Sequence, residues 1–252
     1  MGAPFMGRDA QTNAPVLSVK GVNKSFGAVV VASALSFDVA EGKTLGILGP
    51  NGAGKTSLFN MIAGDLAADS GEIWLAGVRV DHLPGYMRAT QGLSRSYQVP
   101  QPFGHMTVFE NLLVAAVYGM GVSEPDAHAR CFQVLEETGL MDKANQKAGS
   151  LPLLDRKRLE LARSLTPEPK LLLLDEIAGG LTDDEASELV ELIRKVKTTG
   201  VAVVWIEHVI HALLAVADEV MVLDFGKKIA LDKPDVVMTN PDVQRVYMGI
   251  EA

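Results

Sequence analysis

Cysteine, aromatic residues and long apolar runs are scarce in this sequence. A single cysteine, Cys131, stands among 252 residues, which excludes an intrachain disulfide and argues against a metal site built from cysteines. A chain without disulfides is typical of a reducing compartment. The best apolar stretches, such as NLLVAAVYGM, are far shorter than the roughly 20 residues that cross a bilayer. The sequence therefore predicts a globular chain that does not itself span a membrane.

Basic residues are outnumbered by acidic ones. Lysine and arginine total 23 against 31 aspartate and glutamate residues, which gives a formal net charge of −8. Because phosphate contacts dominate the affinity of duplex-binding proteins, we expect no nucleic-acid partner. The hydrophobic fraction of 48% suffices for a large core, so residues 15–252 are predicted to form one domain. Residues 1–14 are small and polar, and are predicted to be a disordered tail.

The apolar pattern of the first two thirds changes from strand-like to helical. Short alternating runs between 16 and 48 are typical of strands. EIWLAGVRV at 72–80 predicts two strands that turn at Ala76 and Gly77. The segment 86–165 has a mostly helical pattern.

The last third alternates buried strands with helices. LLLLD at 171–175 and VAVVWI at 201–206 are continuous apolar runs, which suit strands that are buried on both faces. The helix predicted between them begins with the capping-box pair Thr182 and Glu185 and closes at Gly200. After it, HVIHALLAVAD predicts a helix and EVMVLDFGKKIAL a hairpin. This alternation predicts a layered α/β core.

A glycine-rich stretch at 49–56, GPNGAGKT, fits the pattern G-x-x-x-x-G-K-[ST]. It follows the strand-like TLGIL and precedes the helix-like TSLFNMIAG, which is the context of a phosphate-binding loop rather than of a plain turn. Glycines let successive backbone N–H groups turn inward, and the helix N-terminus adds positive potential. Lys55 is expected to reach the β- and γ-phosphates of a nucleotide, and Thr56 to give its hydroxyl to Mg²⁺.

Further polar residues follow two of the predicted strands. Asp175 and Glu176 end the run LLLLDE, where the first could hold Mg²⁺ through water and the second could polarise an attacking water. An apolar strand that ends in acids is common, so this pair indicates a functional site only in combination with the phosphate loop upstream. His208 follows VAVVWIE at a position where ligands bind in α/β sheets, although a core or helix-start histidine explains it equally well.

Taken in order, these segments resemble the ATP-binding subunits of ABC transporters. The likeness runs from about residue 16 to residue 250 and rests on the phosphate loop, the Tyr-Gln pair of SRSYQ, LPLLDRKRLELARSL, LLLLDEIAGGLTDDE, and the histidine of WIEHVIHAL. It implies ATP and Mg²⁺ as cofactors and ATP hydrolysis as the activity. It also implies a P-loop NTPase fold, in which a RecA-like α/β core carries an antiparallel β-subdomain and an α-helical subdomain inserted near 86–165.

The resemblance also assigns roles to single residues. Glu176 matches the catalytic glutamate, and His208 matches the histidine that contacts the γ-phosphate. Gln98 matches a residue that senses Mg²⁺ and the attacking water, and Lys55 bears charge during the reaction. The residues expected to bind ATP are Phe26, which would stack on adenine, and Asn51, Gly52, Ala53, Gly54, Lys55, Thr56 and Ser57. The residues expected at Mg²⁺ are Thr56, Gln98 and Asp175.

One segment departs from the family pattern. The turn before the helix usually reads roughly LSGGQ and docks on ATP held by a second subunit, but here it reads LPLLD at 151–155. Pro152 has neither a hydroxyl nor an N–H donor, and Leu154 puts bulk where a bare backbone is wanted. Asp155 is expected to cap the helix and to repel phosphate. The basic residues expected to stay solvated on that helix are Arg156, Lys157 and Arg158.

The altered turn indicates which kind of dimer this subunit forms. We expect a heterodimer, in which a second ABC ATPase subunit with an intact turn completes the site formed by Lys55, Glu176 and His208. A homodimer would have two impaired sites. The alternative remains that other backbone donors of the turn still bind phosphate.

Within the family, the chain is most similar to the ATPases of branched-chain amino acid importers, on SRSYQVPQPFGHMTVFENLLVAA, DEIAGGLTDDE and DVQRVYMG. This implies transmembrane permease subunits as partners, a periplasmic solute-binding protein as an indirect one, and a cytoplasmic location on the inner face of the membrane. The permease is expected to contact Val99–Val108 through Phe103 and Met106, for which ordinary core packing is the alternative.

Other functions remain open at this point. The lipopolysaccharide-export ATPases share the Arg-Val-Tyr run near the C-terminus. A nucleotide-binding regulatory subunit with little turnover would fit the altered turn, although such a protein need not keep Glu176 and His208. ABC ATPases that act on DNA or ribosomes usually have two cassettes, a coiled coil or zinc-binding cysteines, which this sequence lacks.

Overall fold

The computed structural model describes residues 15–248, with the side chains of 15–246. The predicted tail at 1–14 lies outside the described residues. The strands are Leu17–Phe26 (β1), Val29–Val39 (β2), Thr44–Leu48 (β3), Ser70–Leu75 (β4), Val78–Arg79 (β5), Leu93–Arg95 (β6), Leu171–Asp175 (β7), Ala202–Ile206 (β8), Glu219–Asp224 (β9) and Lys227–Asp232 (β10). The helices are Lys55–Ala63 (α1), Gly85–Ala89 (α2), Val108–Met120 (α3), Glu124–Glu137 (α4), Leu153–Leu165 (α5), Asp183–Thr198 (α6), Ile210–Leu214 (α7), Pro234–Thr239 (α8) and Pro241–Met248 (α9).

Six strands form the central sheet, in the order β10-β9-β3-β8-β7-β6. Its neighbours are parallel except β10, which returns beside β9 as the predicted antiparallel hairpin. Every residue of β3, β7 and β8 is buried, as expected for apolar strands covered on both faces. Since the sheet is parallel here, the segments that follow β3, β7 and β8 emerge at one edge.

A second, antiparallel sheet has the order β2-β1-β4-β5 and corresponds to the predicted β-subdomain. Its β4–β5 hairpin turns at Ala76 and Gly77, whose φ values of 47° and 80° both lie in the left-handed region. Such a pair closes a two-residue hairpin, so the turn predicted from the sequence is confirmed. Buried residues of this sheet form one cluster with α1 and one face of the central sheet.

The other face of the central sheet is covered by helices. Residues of α3, α4, α5 and α6 form one buried cluster with it. The predicted helical segment 86–165 includes a strand of the central sheet, because β6 pairs in parallel with β7. Helix α6 has the predicted capping box, in which Glu185 N–H donates to the Thr182 hydroxyl. Among residues 15–248, no helix is long and apolar enough to cross a membrane.

One predicted helix in this region is shorter than its pattern. HVIHALLAVAD predicts a helix, and the regular helix within it, α7, has five residues. The preceding residue, Val209, has ψ 83°, which is not helical. Its N–H group lies 3.4 Å from a carboxylate oxygen of Glu207, a side-chain contact that competes with helical hydrogen bonding at this residue.

Candidate active site

The glycine-rich loop between β3 and α1 has space only for glycine at two positions. A Cβ on Gly54, whose φ is 101°, would lie 2.1 Å from the Val31 carbonyl oxygen. A Cβ on Gly49 would lie 2.3 Å from the Leu223 carbonyl oxygen. Gly54 is also the N-cap of α1, and among the described residues no side chain caps this helix and its first turn has no acidic residue. The loop therefore leaves a helix N-terminus available for an anion.

Lys55, Thr56 and Ser57 form the first turn of α1. The Lys55 ammonium is buried and donates to the carbonyl oxygens of Gly49 and Pro50, at 2.6 Å and 3.0 Å. Burial lowers the pKa of Lys55, while the negative charges of Glu176 and Asp175 oppose that shift. The lysine thus lies in the field of the two acids that follow β7.

The other predicted loop residues differ in exposure. Asn51, Gly52 and Thr56 are exposed, whereas Ala53 is buried and its carbonyl accepts a hydrogen bond from Gly226 N–H at 3.0 Å. Ala53 can therefore contribute to phosphate binding only through its backbone. Phe26 lies at the end of β1 and is 52% exposed, with the Lys24 ammonium 5.3 Å from its ring centroid.

Three residues predicted to be catalytic meet at the edge of the sheet. The Glu176 carboxylate accepts a hydrogen bond from Gln98 Nε2 at 2.5 Å through one oxygen. Its other oxygen lies 2.7 Å from His208 Nε2. The structure therefore brings together side chains from three separate segments of the chain, which the sequence alone did not join.

Glu176 also has an unusual backbone. Its φ is 48°, in the left-handed region that residues with a side chain rarely adopt. Its N–H donates to the Ile206 carbonyl of β8 at 2.8 Å, which holds the turn onto the sheet. Strained backbone of this kind is concentrated at functional sites, where the surrounding contacts maintain it.

Asp175 has a partner that sequence reasoning missed. Its carboxylate is bound by Arg95 Nη2 at 2.9 Å, and the Arg95 side chain is only 9% exposed. The same guanidinium donates to Asn60 at 2.7 Å and lies 5.9 Å and 5.1 Å from the ring centroids of Phe59 and Tyr97. Arginine in SRSYQ was the available signal, since a charge inside a buried strand needs a partner.

Two more buried charged residues surround the Glu176 turn. Lys157 was expected to be solvated, but this prediction was wrong: it is 3% exposed, and its ammonium donates to the carbonyl oxygens of Gln98 and Glu176. Glu207 is 1% exposed and accepts from the backbone N–H groups of Ala178 and His208. Sequence reasoning gave Glu207 no role, although a carboxylate directly after a buried strand is itself a signal.

Arg156 and Arg158, in contrast, reach solvent. Arg156 is exposed, and Arg158 is partly exposed and pairs with Glu188 on α6. The basic triplet is thus divided by the helix period, which turns its middle residue toward the core.

The turn at 151–155 differs from the expectation in one respect. Pro152 is the N-cap of α5, so Asp155 lies in the first turn and is not the cap. The Asp155 carboxylate is buried, and Lys143 Nζ binds it at 2.6 Å. Because this charge is paired and turned inward, the expected repulsion of phosphate by Asp155 is weakened. Pro152 and Leu153 are the exposed side chains at the start of the helix.

Comparison with known proteins identifies the family. The high-affinity branched-chain amino acid transport ATP-binding protein BraF of Pseudomonas aeruginosa is 34% identical over 250 residues, which cover 93% of this chain and 98% of that protein. Residues 32–179 match the family model described as ABC transporter. The chain belongs to the ABC transporter family.

Other ABC proteins agree in sequence and in structure. The corresponding protein LivG of Escherichia coli K12 is 33% identical over 250 residues, covering 93% of this chain and 98% of that protein. The lipopolysaccharide export system ATP-binding protein LptB of Acidithiobacillus ferridurans is 33% identical over 234 residues, covering 93% of this chain and 97% of that protein. A crystal structure of a nucleotide-free ATP-binding cassette from an ABC transporter matches with a TM-score of 0.85 and 28% identity, covering 94% of this chain and all (100%) of that one.

These findings give the chain its activity and its fold. It is the ATP-binding subunit of an ABC transporter and an ABC ATPase, in which ATP hydrolysis is coupled to transport. Its architecture is that of the ABC cassette, with an α/β core, an antiparallel β-subdomain and helices on the other side. The predicted family, fold class and enzymatic activity are confirmed.

Proposed function

We propose that this ABC ATPase powers the import of a branched-chain or related amino acid through partner permease subunits. Relatives that align over nearly the whole chain are named for that transport and are 33% to 34% identical. A periplasmic solute-binding protein would deliver the solute. The ATPase would work in the cytoplasm, bound peripherally to the inner face of the membrane.

ATP would bind along the glycine-rich loop, with its phosphates at the N-terminus of α1 and its adenine against Phe26. Backbone N–H groups of 51–57 would hold the phosphates, helped by Lys55 and Ser57. The hydroxyl of Thr56, the amide of Gln98 and the carboxylate of Asp175 are oxygen donors of the type that Mg²⁺ takes. The metal would neutralise phosphate charge.

Glu176 is the general base in this proposal. Its carboxylate would take a proton from the attacking water, while Gln98 and His208 hold its two oxygens and so fix its direction. Lys55 would bear part of the negative charge that develops on the phosphates. The observation that supports this assignment is the convergence of these side chains on one carboxylate.

The test is MgATP turnover by the purified subunit, alone and mixed with each ATPase subunit encoded beside it. Glu176→Gln keeps the size of the side chain and its contact with Gln98 but removes the base. We expect turnover to fall at least 100-fold, as general acid–base catalysis typically contributes, while MgATP still binds. Unchanged turnover in Glu176→Gln would refute the assignment.

We propose a heterodimer as the working assembly. Pro152 and Leu153 are exposed at the start of α5, where a second subunit's ATP would need a hydroxyl and bare backbone. This subunit's own residues would act on its ATP with a partner's intact turn, and the opposite site would be degenerate. Low turnover by the isolated subunit that rises when one partner subunit is added supports this scheme. High turnover by the isolated subunit contradicts it. No turnover with any partner would favour the regulatory subunit instead.

The permease would dock in a groove beside the Gln98 segment. A surface cavity of about 350 Å³ is lined by α2, α3 and Phe103, and its rim includes Tyr86 and Tyr118, which are 75% and 84% exposed. Arg163 lies over the Phe103 ring, 5.3 Å from its centroid. Exposed aromatic side chains around a groove suit an apolar helix. Met106 is half-buried and outside the groove lining, so we assign the contact to Phe103.

Lipopolysaccharide export is the second candidate, because LptB of A. ferridurans is as similar as LivG of E. coli, at 33% identity. Uptake of radiolabelled leucine, by cells that lack this subunit and by cells in which it is restored, separates the two. Loss and recovery of uptake support import. Unchanged uptake together with a defect in the outer membrane would support export.

A further inference from the structure

The Glu176 turn is held by two buried charged residues to which the hydrolysis scheme gives no part. Lys157 projects from α5, and Glu207 follows β8. Both are almost fully buried, at 3% and 1% exposed. Burying charge is costly unless it is paired and hydrogen-bonded, so such residues need an explanation.

Lys157 connects Gln98 with Glu176 through their backbones. Its ammonium donates to the Gln98 carbonyl at 2.8 Å and lies 3.4 Å from the Glu176 carbonyl. The side chains of the same two residues are joined by the hydrogen bond from Gln98 Nε2. Gln98 and Glu176 are therefore linked twice: directly through their side chains, and through the Lys157 ammonium by their backbone carbonyls.

Glu207 makes the matching connection to His208. One carboxylate oxygen accepts from the N–H of Ala178 at 3.1 Å, two residues after Glu176, and from the indole N–H of Trp205 at 3.2 Å. The other oxygen accepts from His208 N–H at 3.1 Å and lies 3.4 Å from Val209 N. The Glu176 turn and the histidine segment are therefore bonded to one carboxylate.

Lys157 and Glu207 support the Glu176 turn from two sides of the site. Glu176 has two side-chain partners, Gln98 and His208, and each of them is tied to the Glu176 turn by one buried charge. The left-handed backbone of Glu176 needs such support, because residues with a side chain do not adopt this conformation unaided. Burial lowers the pKa of Lys157 and raises that of Glu207, and the negative charge of Glu207 opposes the shift of Lys157.

We propose that Lys157 and Glu207 are positioning residues for ATP hydrolysis, which hold the Glu176 turn in a fixed position relative to Gln98 and His208. They do not contact the reacting atoms and act through the direction of the Glu176 carboxylate. The inference rests on the proposed role of Glu176 as the base.

The experiment measures kcat, KM and MgATP binding in the assembly in which the wild-type subunit turns over. Lys157→Met removes the ammonium and keeps most of the side-chain length. Glu207→Gln changes one carboxylate oxygen to an NH₂ group, which faces N–H donors and cannot accept from them. We expect either change to lower kcat at least tenfold, while KM and the affinity for MgATP stay within twofold.

Matched controls lie on the same helix and at the other end of the sheet. Arg158→Met removes a partly exposed cation one residue from Lys157. Asp218→Asn alters a half-buried carboxylate that accepts from the Thr44 N–H at the start of β3, whereas the phosphate loop follows the end of that strand. Both variants are expected to retain kcat within twofold of the wild type.

A positioning role and a purely structural role differ in the Glu176→Gln background. A residue that acts only through Glu176 contributes little to the rate once the base has been removed. Lys157→Met should therefore not lower the residual single-turnover rate of Glu176→Gln further. The same fold-decrease in both backgrounds, or a parallel loss of MgATP affinity, would overturn the proposal. If neither Lys157→Met nor Glu207→Gln folds, the pair is structural and the proposal fails.

The test also separates this inference from the proposed base. Unchanged turnover in Glu176→Gln contradicts the assignment of the base. Loss of turnover in Glu176→Gln, with unchanged kcat in Lys157→Met and Glu207→Gln, contradicts the positioning role alone.

Discussion

Asn111 holds the loop that runs from Gln98 to α3, and its removal should be measurable as lost stability. The side chain is fully buried, at 0% exposed. Its Oδ1 accepts from Phe103 N–H at 2.8 Å, and its Nδ2 donates to the carbonyls of Phe103 and Thr107 at 3.2 Å and 2.8 Å. One amide thus bonds to three backbone groups of a segment that forms neither helix nor strand, and it is the partner of the Phe103 N–H, while both carbonyls also accept a backbone N–H.

The magnitude follows from these contacts. Each hydrogen bond contributes about 1 kcal/mol net, so Asn111→Ala should lower the free energy of unfolding by about 3 kcal/mol. For a chain of this size each kcal/mol corresponds to about 2–4 °C in Tm, which gives a decrease of about 6–12 °C. Asn111→Asp keeps the acceptor for Phe103 N–H but turns a carboxylate oxygen toward two carbonyls, and should be at least as destabilising.

Urea unfolding and thermal melts followed by circular dichroism measure both variants. The exposed Asn145 provides a matched control, since Asn145→Ala should change the free energy of unfolding by less than about 0.5 kcal/mol. A loss below about 1 kcal/mol in Asn111→Ala would refute the reasoning. It would mean that water replaces the amide at the Phe103 N–H, since the two carbonyls keep a backbone donor.

Two further changes test the loop and the sheet. Gly54→Ala should lower the affinity for MgATP more than tenfold in a calorimetric titration, because φ is 101° and the new Cβ would meet the Val31 carbonyl at 2.1 Å; unchanged affinity would contradict this account of the loop. Partial burial raises the pKa of Asp218, but the hydrogen bond from Lys197 and its neighbours outweigh it, and the net pKa lies below the ordinary value. The stabilisation by this carboxylate is therefore complete above the unfolded pKa of about 3.9 and is lost as pH falls through the folded pKa. Asp218→Asn should lower the urea midpoint at pH 7, and the difference from the wild type should shrink below about pH 4; a difference that is constant with pH would contradict the ionic origin.

The sequence predicted those parts of the fold in which a local pattern repeats. LLLLD and VAVVWI are strands β7 and β8, and the capping box at Thr182 begins a helix as expected. Strand β6 has only three residues, LSR, and no periodicity. It exists because β7 pairs with it, so the strand depends on a tertiary contact that no local pattern records.

The site was predicted only as separate segments. Composition and spacing indicated Lys55, Glu176 and His208, but not that the histidine and Gln98 bind the same carboxylate. Lys157 was predicted in solvent because basic triplets on helices usually form the exposed face. Its burial depends on carbonyl groups of two distant loops, which are the acceptors that compensate for the loss of water.

The inward-facing Asp155 has a consequence for protein engineering. A graft of the family's usual residues onto 152–155 would remove the partner of Lys143, which binds that carboxylate at 2.6 Å. The ion pair makes each of these two positions depend on the other, so reversal of the turn alone would pass through a less stable intermediate. A repaired turn should therefore be built together with Lys143→Gln, which removes the ammonium that loses its carboxylate partner.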